Sequence, residues 1–140
     1  MRVLIADDQV TVRSAIRRAL KEESELTVVA DAVNLGELFR NSLRLQPDLI
    51  LLDWELSGFP SAAMRLPLDD PKRRRSEQRR NVVILELREL NSHPFVIAMS
   101  TNPEAHKASL QGGVDAFVLK GGAPDELLKT IRLLLSQVSG

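Results

Sequence analysis

The chain has 140 residues, 44% of them apolar and 27% charged, which suits one compact domain with its own hydrophobic core. Its formal net charge is zero, so the chain as a whole exerts no pull on nucleic acid or a membrane surface. Cysteine is absent, which excludes disulfides and thiolate metal sites and accords with a reducing compartment.

The N-terminal run Arg2-Val3-Leu4-Ile5-Ala6 reads as strand at once, with no signal peptide ahead of it. No apolar run is long enough to span a bilayer, so a soluble, cytoplasmic protein with no membrane partner is expected. Apolar runs at residues 3–6, 26–30, 49–52, 95–99 and 116–119 do not alternate with polar residues. Such runs predict parallel strands covered on both faces. Between them lie helical patterns. Val12, Ile16, Ala19 and Leu20 share one helix face, and Leu35, Leu38, Phe39, Leu43 and Leu45 suggest a second helix. Pro103 is read as opening a short helix that Gly112-Gly113 stops, and Pro124 opens the last one. Strand and helix alternate, so the expected class is α/β: a flavodoxin-like, doubly wound sheet of five parallel strands in order 2-1-3-4-5.

One segment resists this pattern. Between Asp53 and Ser100 the chain carries Phe59-Pro60, Leu66-Pro67-Leu68, Asp69-Asp70-Pro71 and the basic run Lys72-Arg73-Arg74-Arg75, then Arg79-Arg80. These prolines and charges predict an atypical insertion over about residues 59–81. A helix is expected to follow at about residues 77–90 with Val83, Leu87 and Leu90 as its buried face, although Val82-Val83-Ile84-Leu85 also reads as strand. Residues 1–140 are otherwise expected to be one domain.

In an open α/β sheet ligands bind beyond the carboxyl ends of the strands. Here those ends carry Asp7-Asp8, Asp53, Ser100-Thr101 and Lys120. The expected strand order makes their strands consecutive neighbours, so three carboxylates, a hydroxyl and an ammonium converge. Clustered carboxylates repel one another, and a divalent cation with oxygen ligands, magnesium above all, resolves the conflict. A carboxylate nucleophile beside a cation, a lysine and a hydroxyl suits phosphoryl transfer.

Four stretches carry a family resemblance: Val3-Leu4-Ile5-Ala6-Asp7-Asp8, Leu49-Ile50-Leu51-Leu52-Asp53, Val96-Ile97-Ala98-Met99-Ser100-Thr101 and Asp115-Ala116-Phe117-Val118-Leu119-Lys120. In that order the chain resembles the receiver domains of two-component response regulators. The first and last stretches look most like the subfamily that usually carries a helix-turn-helix DNA-binding domain after the receiver. The resemblance implies that Asp53 accepts a phosphoryl group from a sensor histidine kinase. It implies magnesium on Asp7, Asp8, Asp53 and the backbone carbonyl of Glu55. Lys120 would pair with the phosphoryl group. Ser100 would move towards it, and Phe117 would rotate as the switch aromatic. The surface of the fourth helix, fifth strand and fifth helix would then change and control an output, transcription being the expected one. The resemblance implies a signalling domain, not an enzyme, with self-catalysed phosphotransfer and slow autodephosphorylation. A homodimer is expected on phosphorylation. DNA would be reached only through an effector domain absent from this chain.

Simpler readings exist for each residue. Asp8 alone reads as a helix N-cap, Ser100 as a turn hydroxyl, Lys120 as a solvated surface lysine and Phe117 as core. Trp54 reads equally as site rim or as packing against the insertion. His93 and His106 read as surface residues without a role. The basic run 72–75 reads as a solvated loop, or as arginines lying over the acceptor site. The competing functions are a phosphorylation-independent interaction module and, ranked last, an aspartate-nucleophile phosphatase. The chain departs from the family pattern at Leu56-Ser57-Gly58 and at Gly121, where many members have proline.

Overall fold

The structure, a computed structural model, describes residues 1–59, 66–67 and 69–139. Among the described residues ten elements alternate. They are β1 (Arg2–Ala6), α1 (Val10–Leu20), β2 (Thr27–Ala32), α2 (Leu35–Leu45), β3 (Leu49–Asp53), α3 (Pro71–Arg88), β4 (Phe95–Ser100), α4 (Ala105–Gln111), β5 (Ala116–Leu119) and α5 (Pro124–Ser139). The strands form one sheet in the order β2-β1-β3-β4-β5, with every pairing parallel. This is the expected doubly wound class. No described helix is long and apolar enough to cross a membrane.

Alternate strand residues pack on opposite faces, because successive side chains of a strand point to opposite sides. Leu4, Ile50, Leu52, Val96 and Ala98 join Leu38 of α2, Ile84 and Leu87 of α3 and Ala105 of α4 in one buried cluster. Val3, Ile5, Leu49, Leu51, Ile97 and Met99 join Ile16 and Leu20 of α1 and Leu127, Ile131 and Leu134 of α5 in the other. β3, the middle strand, is buried at all five positions. The continuous apolar runs are therefore strands covered on both faces, and the polar residues that end them emerge together at one edge.

The helix after β3 differs from expectation. α3 begins at Pro71, six residues before the anticipated start, so the basic run lies in its first turns and not in a loop. Asp70 is its N-cap and accepts a 2.8 Å hydrogen bond from the Lys72 amide, while Pro71 occupies the first helical position, where its missing N–H costs nothing. The buried face is Arg73, Ser76, Arg80, Ile84 and Leu87. That spacing is helical, but its first half is polar, so apolar periodicity alone starts the helix too late. Val83 and Leu90 are only partly buried at the edge of the cluster. The expected insertion thus overlaps α3 in its second half. Residues 60–65 and 68 lie outside the described residues. The other differences are small: β2 runs on to Ala32, and the short α4 begins at Ala105, two residues after Pro103.

Candidate functional site

Asp7 follows β1 directly, Asp53 ends β3, Ser100 ends β4 and Lys120 follows β5. The register carries these ends to one place. Ala6 pairs with Leu52, Asp53 with Met99 and Ser100 with Leu119. The Lys120 amide donates to the Ser100 carbonyl at 2.8 Å, which continues the β4–β5 ladder past the end of the strand.

The side chains meet there. Lys120 Nζ lies 2.6 Å from Asp7 Oδ2 and 3.2 Å from Asp53 Oδ1, bridging the two carboxylates. Asp7 is fully buried and Asp53 is 3% exposed, whereas Asp8 is exposed. One carboxylate oxygen from each of Asp7, Asp8 and Asp53 lies within 4.8 Å of the others, a separation one cation can bridge. Asp8 is not the N-cap of α1. Gln9 holds that position, and Asp8 Oδ2 instead accepts a 2.8 Å hydrogen bond from Ser57 Oγ. Asp7 Oδ1 accepts from the Gln9 amide at 2.9 Å.

The electrostatics follow from this crowding. Burial pushes the Asp53 carboxyl up from 3.8 to about 7. The Glu55 amide and Lys120 pull it down, and the Asp7 charge adds to the rise. Burial works against a charged Lys120, but its hydrogen bond and charge contacts with Asp7 and Asp53 outweigh burial and raise its pKa. Two or three carboxylates facing one lysine form a site with negative charge to spare. An oxygen-ligated divalent cation such as magnesium fits this donor set.

Glu55 and Ser100 are joined. Ser100 is fully buried, and its Oγ donates to Glu55 Oε1 at 2.6 Å while accepting from the Asn102 amide at 3.0 Å. The side chain of Glu55 therefore takes part in the site, which the residue pattern does not reveal. Phe117 is partly buried against the α2–α3–α4 cluster, and the ring of His106 stacks on it with centroids 5.0 Å apart at 13°. His106 is exposed, as expected of a surface residue, and its ring covers Phe117. No local signal in the sequence announces that contact, because it forms between α4 and β5. Trp54 is fully buried against Phe59 and Arg80, so it packs inside and does not rim the site.

No family model matches the chain. It is 28% identical over 129 residues to the nitrate/nitrite response regulator NarL of Escherichia coli, covering 92% of this chain and 52% of that protein. It is 25% identical over 138 residues to the response regulator GacA of Pseudomonas viridiflava, covering 97% of this chain and 56% of that protein. The isolated receiver domain of RcsB from Salmonella enterica serovar Typhimurium superposes with a TM-score of 0.74 at 24% identity, covering 97% of this chain and 88% of that one. The chain thus has the fold of a response-regulator receiver domain, carries an acidic pocket at the strand ends, and is similar in sequence to response regulators. The chain spans about half the length of these curated relatives, NarL and GacA.

Proposed function

We propose that Asp53 is the phosphoacceptor of a signalling switch and that the donor is a phosphohistidine on a sensor kinase. The carrying observation is the placement of Lys120 Nζ between two buried carboxylates whose oxygens lie beside the Asp8 carboxylate. An Asp53 oxygen attacks phosphorus, a P–O bond forms, and the P–N bond to the donor histidine breaks with the electron pair leaving on nitrogen. Asp7, Asp8, Asp53 and the Glu55 carbonyl would hold magnesium, which when bound neutralises charge on the transferring group. Lys120 turns towards the phosphoryl oxygens, and Ser100 donates to one of them. Phe117 and the surface of α4, β5 and α5 then shift between two states, and the readout is transcription through an effector domain. Phosphorylation favours a homodimer. Residues 1–140 are read as a single receiver unit within this proposal.

The test is incubation of the full chain with magnesium and acetyl phosphate, followed by intact-mass measurement. One added phosphoryl group in the wild type and none in Asp53→Asn is expected. A modification that survives Asp53→Asn, or none with any phosphodonor, refutes the reading, the second result leaving a phosphorylation-independent interaction module.

A further inference from the structure

Arg80 is a side chain that hydrophobicity alone would not put where it is. It lies on the buried face of α3 with no exposed surface. Its guanidinium sits 4.7 Å from the Phe59 ring centroid and 5.8 Å from that of Trp54. Nη1 donates to the Ser76 side chain and carbonyl. Nη2 is buried with no hydrogen-bond partner, and among the described residues no carboxylate forms an ion pair with it. A buried charge without an opposite partner is costly, and an apolar side chain of the same length would fill the space between two aromatic rings more cheaply. The two ring faces and the Ser76 contacts offset part of the cost of the buried charge, but they do not explain the role of Nε–H.

The remaining contact does. Arg80 Nε donates to the Trp54 carbonyl at 2.9 Å. That carbonyl belongs to the same planar peptide unit as the Glu55 amide, and the Glu55 amide donates to Asp53 Oδ1 at 3.0 Å. The peptide is thus held at both ends, by a cation at its oxygen and by the acceptor carboxylate at its N–H. A positive charge on the carbonyl polarises the peptide and makes its N–H a stronger donor, as in any hydrogen-bonded chain in a low-dielectric interior. The preceding amide, Trp54 N–H, donates to the Met99 carbonyl at 2.8 Å, so the whole turn after Asp53 is braced between β4 and α3.

We infer that Arg80 is a positioning residue for phosphorylation, acting on Asp53 through the Trp54–Glu55 peptide and completing, from the far side of the turn, the positive environment that Lys120 supplies directly. The charges that favour its cationic form against burial are those of Glu55, Glu77 and Asp53, two of which belong to the acceptor site, as expected of a cation coupled to that site. The inference rests on the phosphoacceptor reading for its kinetic consequence, but its structural content does not.

The experiment compares the wild type with Arg80→Met, which keeps bulk without charge, and Arg80→Lys, which keeps charge. Three quantities are read: the rate of phosphorylation by acetyl phosphate, magnesium binding followed through the single tryptophan, and the amide proton shift of Glu55. For Arg80→Met the Glu55 amide should move upfield and phosphorylation should slow by about tenfold, the scale of one charge-assisted hydrogen bond. Magnesium should bind as well as before or more tightly, because a nearby positive charge is gone. Arg80→Lys should recover part of the rate. A merely structural arginine predicts another pattern: weakened magnesium binding in step with lost thermal stability, and no advantage of Lys over Met. That pattern, an unchanged rate or an unmoved Glu55 amide overturns the inference. Should Arg80→Met not fold, Arg80→Gln, a neutral donor, replaces it with the same expectations. If the wild type itself is never phosphorylated, the phosphoacceptor reading fails while the amide shift still decides whether Arg80 polarises the peptide.

Discussion

Removing the charge of Asp53 should stabilise the metal-free protein, and by an amount that depends on pH in a defined direction. The folded state holds the Asp53 proton up to a pKa of about 7, whereas the unfolded chain releases it near 3.8. Between those values the folded state binds more protons, so stability from this group is full below the lower value and falls as pH rises through the upper one. About three units at 1.36 kcal/mol each make a cost of roughly 4 kcal/mol above pH 7. Asp53 is 3% exposed, so water does little to screen that cost. Asp53→Asn cannot ionise and avoids it, while Lys120 keeps its 2.6 Å contact with Asp7. Urea unfolding at pH 8.5 without divalent metal should therefore show the variant more stable by about 2–4 kcal/mol, and at pH 5 the gain should shrink to roughly a third. Saturating magnesium should close the gap from the other side, because a ligand at 100 times its Kd stabilises the wild type by about 2.7 kcal/mol. A gain of equal size at both pH values, or a variant less stable than wild type at pH 8.5, refutes the charge-crowding account.

Two further substitutions test the frame that holds the site. Gly58 has φ +109°, and a Cβ there would lie 3.0 Å from the Leu35 side chain, so Gly58→Ala should cost about 1–3 kcal/mol, read as a lowered denaturant midpoint. Ile84→Ala opens a cavity where α3 meets the sheet at a fully buried position and should cost about 2–5 kcal/mol by the same measurement; a loss under 1 kcal/mol would mean that α3 is not packed as described.

The acidic cluster is legible in the chain because its members end strands, and strand ends in a parallel α/β sheet share one edge whatever the loops do. Asp7, Asp53, Ser100 and Lys120 need only the strand order to come together. α3 is less legible because the rule that finds helices counts apolar residues, and this helix buries Arg73, Ser76 and Arg80 along half its length. The signal that marks its true start is present in Asp70-Pro71, an N-cap followed by a first-turn proline, but the surrounding prolines and charges read as loop. In the sequence Trp54 reads equally as rim or interior. Its position turns on Arg80, twenty-six residues away in sequence. Contacts of that kind, like His106 on Phe117, depend on which helix face meets which strand and leave no local trace.

The hydrogen bonds around Ser100 give the switch a chemical form. A hydroxyl has one proton, and Ser100 Oγ places it on Glu55 Oε1 while its oxygen accepts from the Asn102 amide. If Asp53 carries a phosphoryl group, Ser100 can donate to it only by leaving Glu55, so two oxyanions compete for one proton. The phosphoryl oxygens bear more charge, which favours the exchange, and the Glu55 carboxylate left behind faces the charge of buried Arg80. The residue that bonds the resting serine is adjacent to the peptide that Arg80 holds. Asp53, the Ser100 hydroxyl and buried Arg80 therefore meet at one turn, residues 53–55, and any motion of Ser100 is felt by β4 and the start of α4 through the Asn102 amide that its oxygen now fixes.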